Sequence, residues 1–143
     1  MNLFPKLLCI CLLALTAKLT GDEQSADKLP YNFVGTHFMA SYKECDHDAL
    51  VNLPKLKEAL IAASKASGAT ILKTADYTFE PDGLTMVVLL SESHASIHTY
   101  PEFNAVFVDL FTCGHNCSAK AFDEVLRGYL APKKVSKGVF ERD

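Results

Sequence analysis

Two strand-like runs, Thr70 to Phe79 and Leu84 to Leu90, are separated only by Glu80-Pro81-Asp82-Gly83. Four residues of turn-forming type leave no room for a crossover, so the two runs are expected to lie side by side as an antiparallel hairpin. Upstream, Phe33 to Tyr42 is rich in aromatic and small apolar residues without helical spacing, and it reads as a further strand. Leu56, Ala59, Leu60 and Ala63 then recur at helical spacing behind Pro54, which suits a first turn, and Gly68 is placed to end the helix. Downstream, Val106, Val108 and Leu110 alternate with Phe107, Asp109 and Phe111 in a strand from Ala105 to Phe111. Ser118 is a suitable N-cap for a helix running to about Leu130, and Val135 to Phe140 reads as a short last strand. The order β-α-β-β-β-α-β predicts an α+β fold, a two-layer sandwich with a mostly antiparallel sheet and both helices packed on one face.

A length of 143 residues suits one ordinary domain, and 49% hydrophobic with 22% charged residues is the balance of a folded chain. The net charge of -3, with Lys and Arg scattered, leaves no basic stripe, so nucleic acid is not an expected partner. The first residues differ from the rest. Lys6 precedes the apolar run Leu7 to Ala17, and Lys18 onward is polar, which is the profile of a signal peptide over residues 1–20. The run is about eleven residues, well short of the roughly 20 that span a bilayer as a helix, so stable membrane insertion is not expected. Export is the expected localisation, with the cytoplasm as the alternative. Residues 21–31 read as a polar linker and 32–143 as the domain. Cys9 and Cys11 fall in the leader. The remaining three, Cys45, Cys113 and Cys117, are too few and odd in number for a complete disulfide framework.

Chemistry concentrates between Leu90 and Cys113, where Glu92, Ser93, His94, Ser96, His98, Glu102, Asp109 and Cys113 crowd together between two apolar strands. One reading of this polar density is a connection between strands whose side chains face water. Another is metal: His94, His98, Cys113, His115 and Cys117 are all usable zinc ligands, although neither H-x3-H nor C-x3-C is distinctive and no C-x2-C pair supports them, so no metal is assigned.

A third reading comes from particular words in the sequence. Glu92-Ser93-His94, Ile97-His98-Thr99, Pro101-Glu102 and Asp109-Leu110-Phe111-Thr112-Cys113-Gly114 together resemble the bacterial S-adenosylmethionine decarboxylases. Gly35-Thr36-His37, Glu44-Cys45-Asp46, Gly68-Ala69-Thr70 and Phe79 with Pro81 and Gly83 extend the resemblance from about Gly35 to the last helix, leaving out the leader. The resemblance implies a proenzyme that cuts itself between Glu92 and Ser93, giving chains that end at 92 and start at 93, and that converts Ser93 into a covalent pyruvoyl cofactor. His98 matches the processing histidine, and a neutral imidazole suits proton transfer there. Thr85 stands where the family has a serine that assists processing, keeping the hydroxyl and adding a methyl.

For the reaction itself, the resemblance implies that the pyruvoyl carbonyl at residue 93 takes the substrate amine as a Schiff base and acts as an electron sink. Cys113 matches the proton donor to the former α-carbon. Phe79 and Glu102 match the adenine-stacking aromatic and the ribose-binding carboxylate. Tyr100 stands where most relatives have tryptophan, a smaller ring with a polar tip. The implied function is decarboxylation of S-adenosylmethionine to supply the aminopropyl donor for polyamine synthesis, by a homodimer with active sites near the subunit interface. Two alternatives stay open at the level of sequence: a pyruvoyl-dependent decarboxylase of a free amino acid such as ornithine or arginine, and a non-catalytic secreted metal-binding module.

Overall fold

A computed structural model describes residues 33–113 and 116–143; the leader and linker expected over 1–31 lie outside the described residues. The elements are β1 (Gly35–Lys43), α1 (His47–Val51), α2 (Leu53–Ala66), β2 (Ile71–Phe79), β3 (Gly83–Leu90), β4 (Ser93–Tyr100), β5 (Ala105–Thr112), α3 (Ala119–Leu130) and β6 (Lys134–Arg142). A 3₁₀ turn, Pro101–Phe103, joins β4 to β5. The six strands form one sheet in the order β2-β3-β4-β5-β1-β6, and every neighbouring pair is antiparallel. The α+β sandwich read from the sequence is the architecture found.

Strand alternation divides the sheet into two faces. Phe38, Ala40 and Tyr42 of β1, Leu84, Met86, Val88 and Leu90 of β3, and Val106, Val108 and Leu110 of β5 are buried with Leu56, Leu60, Ala63, Phe122, Leu126 and Leu130 of the helices. The intervening residues point to the opposite, uncovered face. Local signals set the helix ends as expected from their chemistry: Asn52 accepts from the Lys55 N–H at the start of α2, and Ser118 Oγ accepts from the Ala121 N–H at the start of α3. Gly68 closes α2 with a φ of 92°, and Ser118 N–H donates to Ser67 O at 2.8 Å, tying the end of one helix to the beginning of the other.

Two elements were not visible in the sequence. The one-turn helix α1 is too short to leave a periodic pattern. Strand β4 occupies the stretch that reads as a polar connection, and the reason is composition: Ala95, Ile97 and Thr99 face the core, while His94, Ser96, His98 and Tyr100 fill the alternate positions. Only three modest residues carry the buried side of that strand, so the period of two is masked by the polar groups on the other side.

One polar network lies inside the helix-covered layer. Tyr42 Oη donates to Asp123 Oδ1 at 2.6 Å, and Lys137 Nζ donates to Asp123 Oδ2 at 2.6 Å, so a carboxylate that is 2% exposed joins α3 to β1 and β6. Burial, followed by the hydrogen bond to Asp123, pushes the Tyr42 phenol far above its usual range and keeps it a neutral donor. Removing the carboxylate strands the Tyr42 hydroxyl in the core. Asp123→Ala is expected to lower stability by about 3 kcal/mol, and Tyr42→Phe by about 2 kcal/mol, in urea unfolding. Equal midpoints for wild type and Asp123→Ala would show that the network carries no stability.

Candidate active site

The residues singled out in the sequence gather in two places on the sheet. The first is the hairpin turn between β3 and β4. Leu90 pairs with Ser93 across it, leaving Ser91 and Glu92 as the turn residues. Ser91 N–H donates to Thr70 O at 2.9 Å, Thr70 N–H donates to the Glu92 carboxylate at 2.9 Å, and Cys113 N–H donates to the Glu92 carbonyl at 2.9 Å. Three hydrogen bonds from two neighbouring segments therefore fix this turn. Within it Ser93 has a φ of 149°, a region populated almost only by glycine, at a cost of about 1–3 kcal/mol for other residues.

The chemistry available at the turn follows from that geometry. The Glu92 carbonyl already holds a backbone donor, positioned to stabilise negative charge on its oxygen when a nucleophile adds to the carbon. Ser93 carries a hydroxyl on the next residue, and its Oγ lies 3.2 Å from His94 Nδ1. Cys113 follows directly after β5 and is exposed, unlike Cys45, which is buried with its thiol pushed up to about 11. The Cys117 thiol is also raised, by burial and then by the charge of Glu92. Cys113 is thus the described thiol with the readiest access to a substrate. A Cβ on Gly35 would fall 2.5 Å from the Phe111 ring and 3.6 Å from Cys113 Sγ, so glycine in β1 leaves the room in which these side chains lie.

The second place is the other end of β4. A pocket of about 420 Å³ is lined by Phe79, the β2–β3 turn, His98, Tyr100, Glu102 and His47. Thr85 faces His98 across the β3–β4 ladder and its hydroxyl hydrogen-bonds His98 Nδ1. Edge-to-face contacts connect Tyr77, Phe79, His98, Tyr100 and Phe107 across the uncovered face, with ring centroids 4.8 to 6.1 Å apart. Phe79 is 46% exposed and presents its ring to the pocket.

His98 and Ser93 are not neighbours within this chain. Both belong to β4, five residues apart, which is about 17 Å along an extended strand. The imidazole beside Ser93 is His94. The zinc ligands considered from sequence do not converge either: among the described residues no three of His, Cys, Asp and Glu stand close enough to hold a metal ion, and His115 lies outside them.

The family model described as S-adenosylmethionine decarboxylase matches residues 36–143, which takes in the sheet from the second residue of β1 onward. The chain belongs to the S-adenosylmethionine decarboxylase family. It is 39% identical over 110 residues to an S-adenosylmethionine decarboxylase proenzyme of Prochlorococcus marinus, covering 77% of this chain and 88% of the relative. A proenzyme of Thermotoga maritima is also 39% identical over 110 residues, with 76% and 84% covered. The crystal structure of the adenosylmethionine decarboxylase from Aquifex aeolicus superposes with a TM-score of 0.71 at 37% identity, covering 76% of this chain and 90% of that one.

Sequence reasoning missed three residues that the geometry brings to these clusters. Thr70 clamps the turn through its backbone, which no side-chain pattern could reveal. His94 enters the sequence reading as a zinc ligand and within Glu92-Ser93-His94, with no role beside Ser93 given to it. His47 and its hydrogen-bond partner Asn104 lie 57 positions apart and meet only in the fold.

The strain at Ser93 is measurable without any reaction. Ser93→Ala and Ser93→Gly both lack the hydroxyl, but only glycine accepts the observed φ without penalty. Ser93→Gly is expected to unfold at higher urea than Ser93→Ala, with a difference of about 1 kcal/mol after glycine's own entropy cost. Equal stability would mean that the turn stores no strain.

Proposed function

We propose that this chain is a proenzyme that cuts itself at Glu92-Ser93 and then decarboxylates S-adenosylmethionine, supplying an aminopropyl donor for polyamine synthesis. The observation that carries the reading is the turn: a serine held at a strained φ, next to a carbonyl that already accepts a backbone N–H. In the self-cutting step Ser93 Oγ adds to the Glu92 carbonyl carbon, the C–N bond breaks and the nitrogen gains a proton, so an ester replaces the peptide bond. Loss of the Ser93 α-proton then expels the Glu92 carboxylate and leaves dehydroalanine. Its imine form takes up water and releases ammonia, giving the pyruvoyl end. A hydroxyl-bearing residue at the strained position fits this origin. The pyruvoyl group supplies a carbonyl that binds the substrate amine and draws electrons from the carboxylate bond.

The chain's own residues supply the rest. Cys113, exposed beside residue 93, donates the proton to the former α-carbon. Phe79 and Tyr100 offer aromatic faces to adenine, and Glu102 accepts from the ribose hydroxyls. A pocket with this many rings favours a nucleoside over a free amino acid such as ornithine.

The separation of roughly 17 Å between His98 and Ser93 along β4 supports a role for a second copy of this chain. The uncovered sheet face exposes Met39, Tyr77, Phe79, Val87, Leu89, Phe107 and Phe140, and both clusters lie along it. Two such faces packed about a two-fold axis that runs across the strands set the Ser93 end of one β4 over the His98 end of the other. The homodimer then completes each site: Ser93 and Cys113 come from one subunit, and His98, steadied by Thr85, comes from its partner. Export is proposed on the leader sequence alone.

The first test is intact mass before and after borohydride. Two fragments split at Glu92-Ser93, the second gaining mass on reduction, are expected, and the mass of the first reads whether the leader is removed. One uncut chain would overturn the proenzyme reading. The shared site has its own test, in which Ser93→Ala and His98→Ala chains are co-expressed. Neither is expected to be cut alone, whereas together the His98→Ala chain should be cut because its partner brings His98. Cutting of His98→Ala by itself would transfer the role to His94 and remove the need for a second copy.

A further inference from the structure

His47 lines the same pocket as Phe79 and Glu102 yet has no part in the reading above. It is the first residue of α1, and its Nδ1 lies 2.9 Å from Asn104 Oδ1. Asn104 is well held. It ends the 3₁₀ turn in the left-handed region with a φ of 46°, its N–H donates to Pro101 O at 3.0 Å, and its carbonyl accepts from Cys45 N–H at 3.0 Å. Asparagine tolerates that backbone conformation better than most residues, and its amide is left free to reach across to α1. An amide oxygen only accepts, so Nδ1 carries the proton and Nε2 of the neutral ring is an acceptor. Among the described residues no side-chain hydrogen bond engages Nε2.

The same 3₁₀ turn carries Glu102. The Asn104–His47 contact therefore places an oriented imidazole acceptor and a carboxylate on one pocket, both referenced to one short turn. We propose that His47 is a second recognition residue for the sugar of a nucleoside, accepting a hydrogen bond from a ribose hydroxyl through Nε2, with Asn104 as the residue that positions it. A vicinal diol offers two donors. One carboxylate and one imidazole can take them separately, and a deoxygenated sugar would leave both acceptors without a partner.

This inference rests on the nucleoside reading of the pocket, and the test separates the two. Binding of 5′-deoxy-5′-methylthioadenosine and of its 2′,3′-dideoxy counterpart is measured by calorimetry on the full chain, with cutting at Ser93 followed by mass. His47→Ala is expected to weaken the ribonucleoside about five- to tenfold, to leave the dideoxy compound unchanged, and to leave cutting at Ser93 as in wild type. Asn104→Gly keeps the left-handed backbone while removing the amide, and it should weaken the ribonucleoside by a smaller factor. Because Asn104 acts through His47, the double variant should bind no more weakly than His47→Ala alone. Undiminished ribonucleoside binding by His47→Ala, or equal loss for both compounds, would overturn the assignment while leaving the nucleoside pocket intact. If wild type binds neither compound, the nucleoside reading fails and this proposal falls with it.

Discussion

The pairing of β4 with β3 on one side and β5 on the other is the constraint on which everything else rests. Its register puts Ala95, Ile97 and Thr99 under the helices and so commits His94, Ser96, His98 and Tyr100 to the uncovered face. A slip of one residue would bury two imidazoles and expose the core side of the strand. The same ladder fixes the turn at its start, because Ser93 pairs with Thr112 and the following Cys113 N–H is thereby delivered to the Glu92 carbonyl. Packing and chemistry are two faces of one set of backbone hydrogen bonds.

That arrangement also explains how strain at Ser93 survives. A residue in a disfavoured conformation persists only where its surroundings hold it more firmly than the strain pushes back. Leu84, Met86, Val88 and Leu90 anchor β3 in the core and Val106, Val108 and Leu110 anchor β5. With roughly 1.5–3 kcal/mol gained for each fully buried aliphatic side chain, relaxing the turn by shifting either strand would cost more than the strain it released. The strain therefore falls on Ser93, a hydroxyl-bearing residue held between the anchored strands.

Most of the fold was legible in the sequence because most of its strands bury apolar residues on one side. The EPDG hairpin, the helix carrying Leu56, Leu60 and Ala63, and the alternation of Val106, Val108 and Leu110 all follow from period and turn chemistry. Strand β4 escaped because its information lies on the polar side. The candidate site residues stood in the sequence as words, with Ser93, His98 and Cys113 in the order that the resemblance supplied, but their separation in space was not legible. Five residues look close in sequence, yet a strand spends them on distance, whereas a helix would have returned His98 to within one or two turns of Ser93. His47 was hidden for the opposite reason: it stands far from Asn104 along the chain, and only the meeting of α1 with the 3₁₀ turn gives it a task.

The strand order bears on what the proposed cut at Glu92-Ser93 would do to the protein. Elements β1, α1, α2, β2 and β3 precede the cut, and β4, β5, α3 and β6 follow it. Across the sheet the order is then β2-β3 from the first fragment, β4-β5 from the second, β1 from the first and β6 from the second. Neither fragment owns a continuous sheet. Each contributes one pair and one lone strand, and β1 is bonded on both sides to strands of the other fragment. The buried network repeats the theme, since Tyr42 lies before the cut while Asp123 and Lys137 lie after it. Separating the fragments would open three ladders, part α2 from α3 and leave Asp123 without its tyrosine. Breaking one peptide bond at a turn costs none of these. If the proposed cut falls at the strained Ser93, a chain built this way would keep the fold that holds the strain.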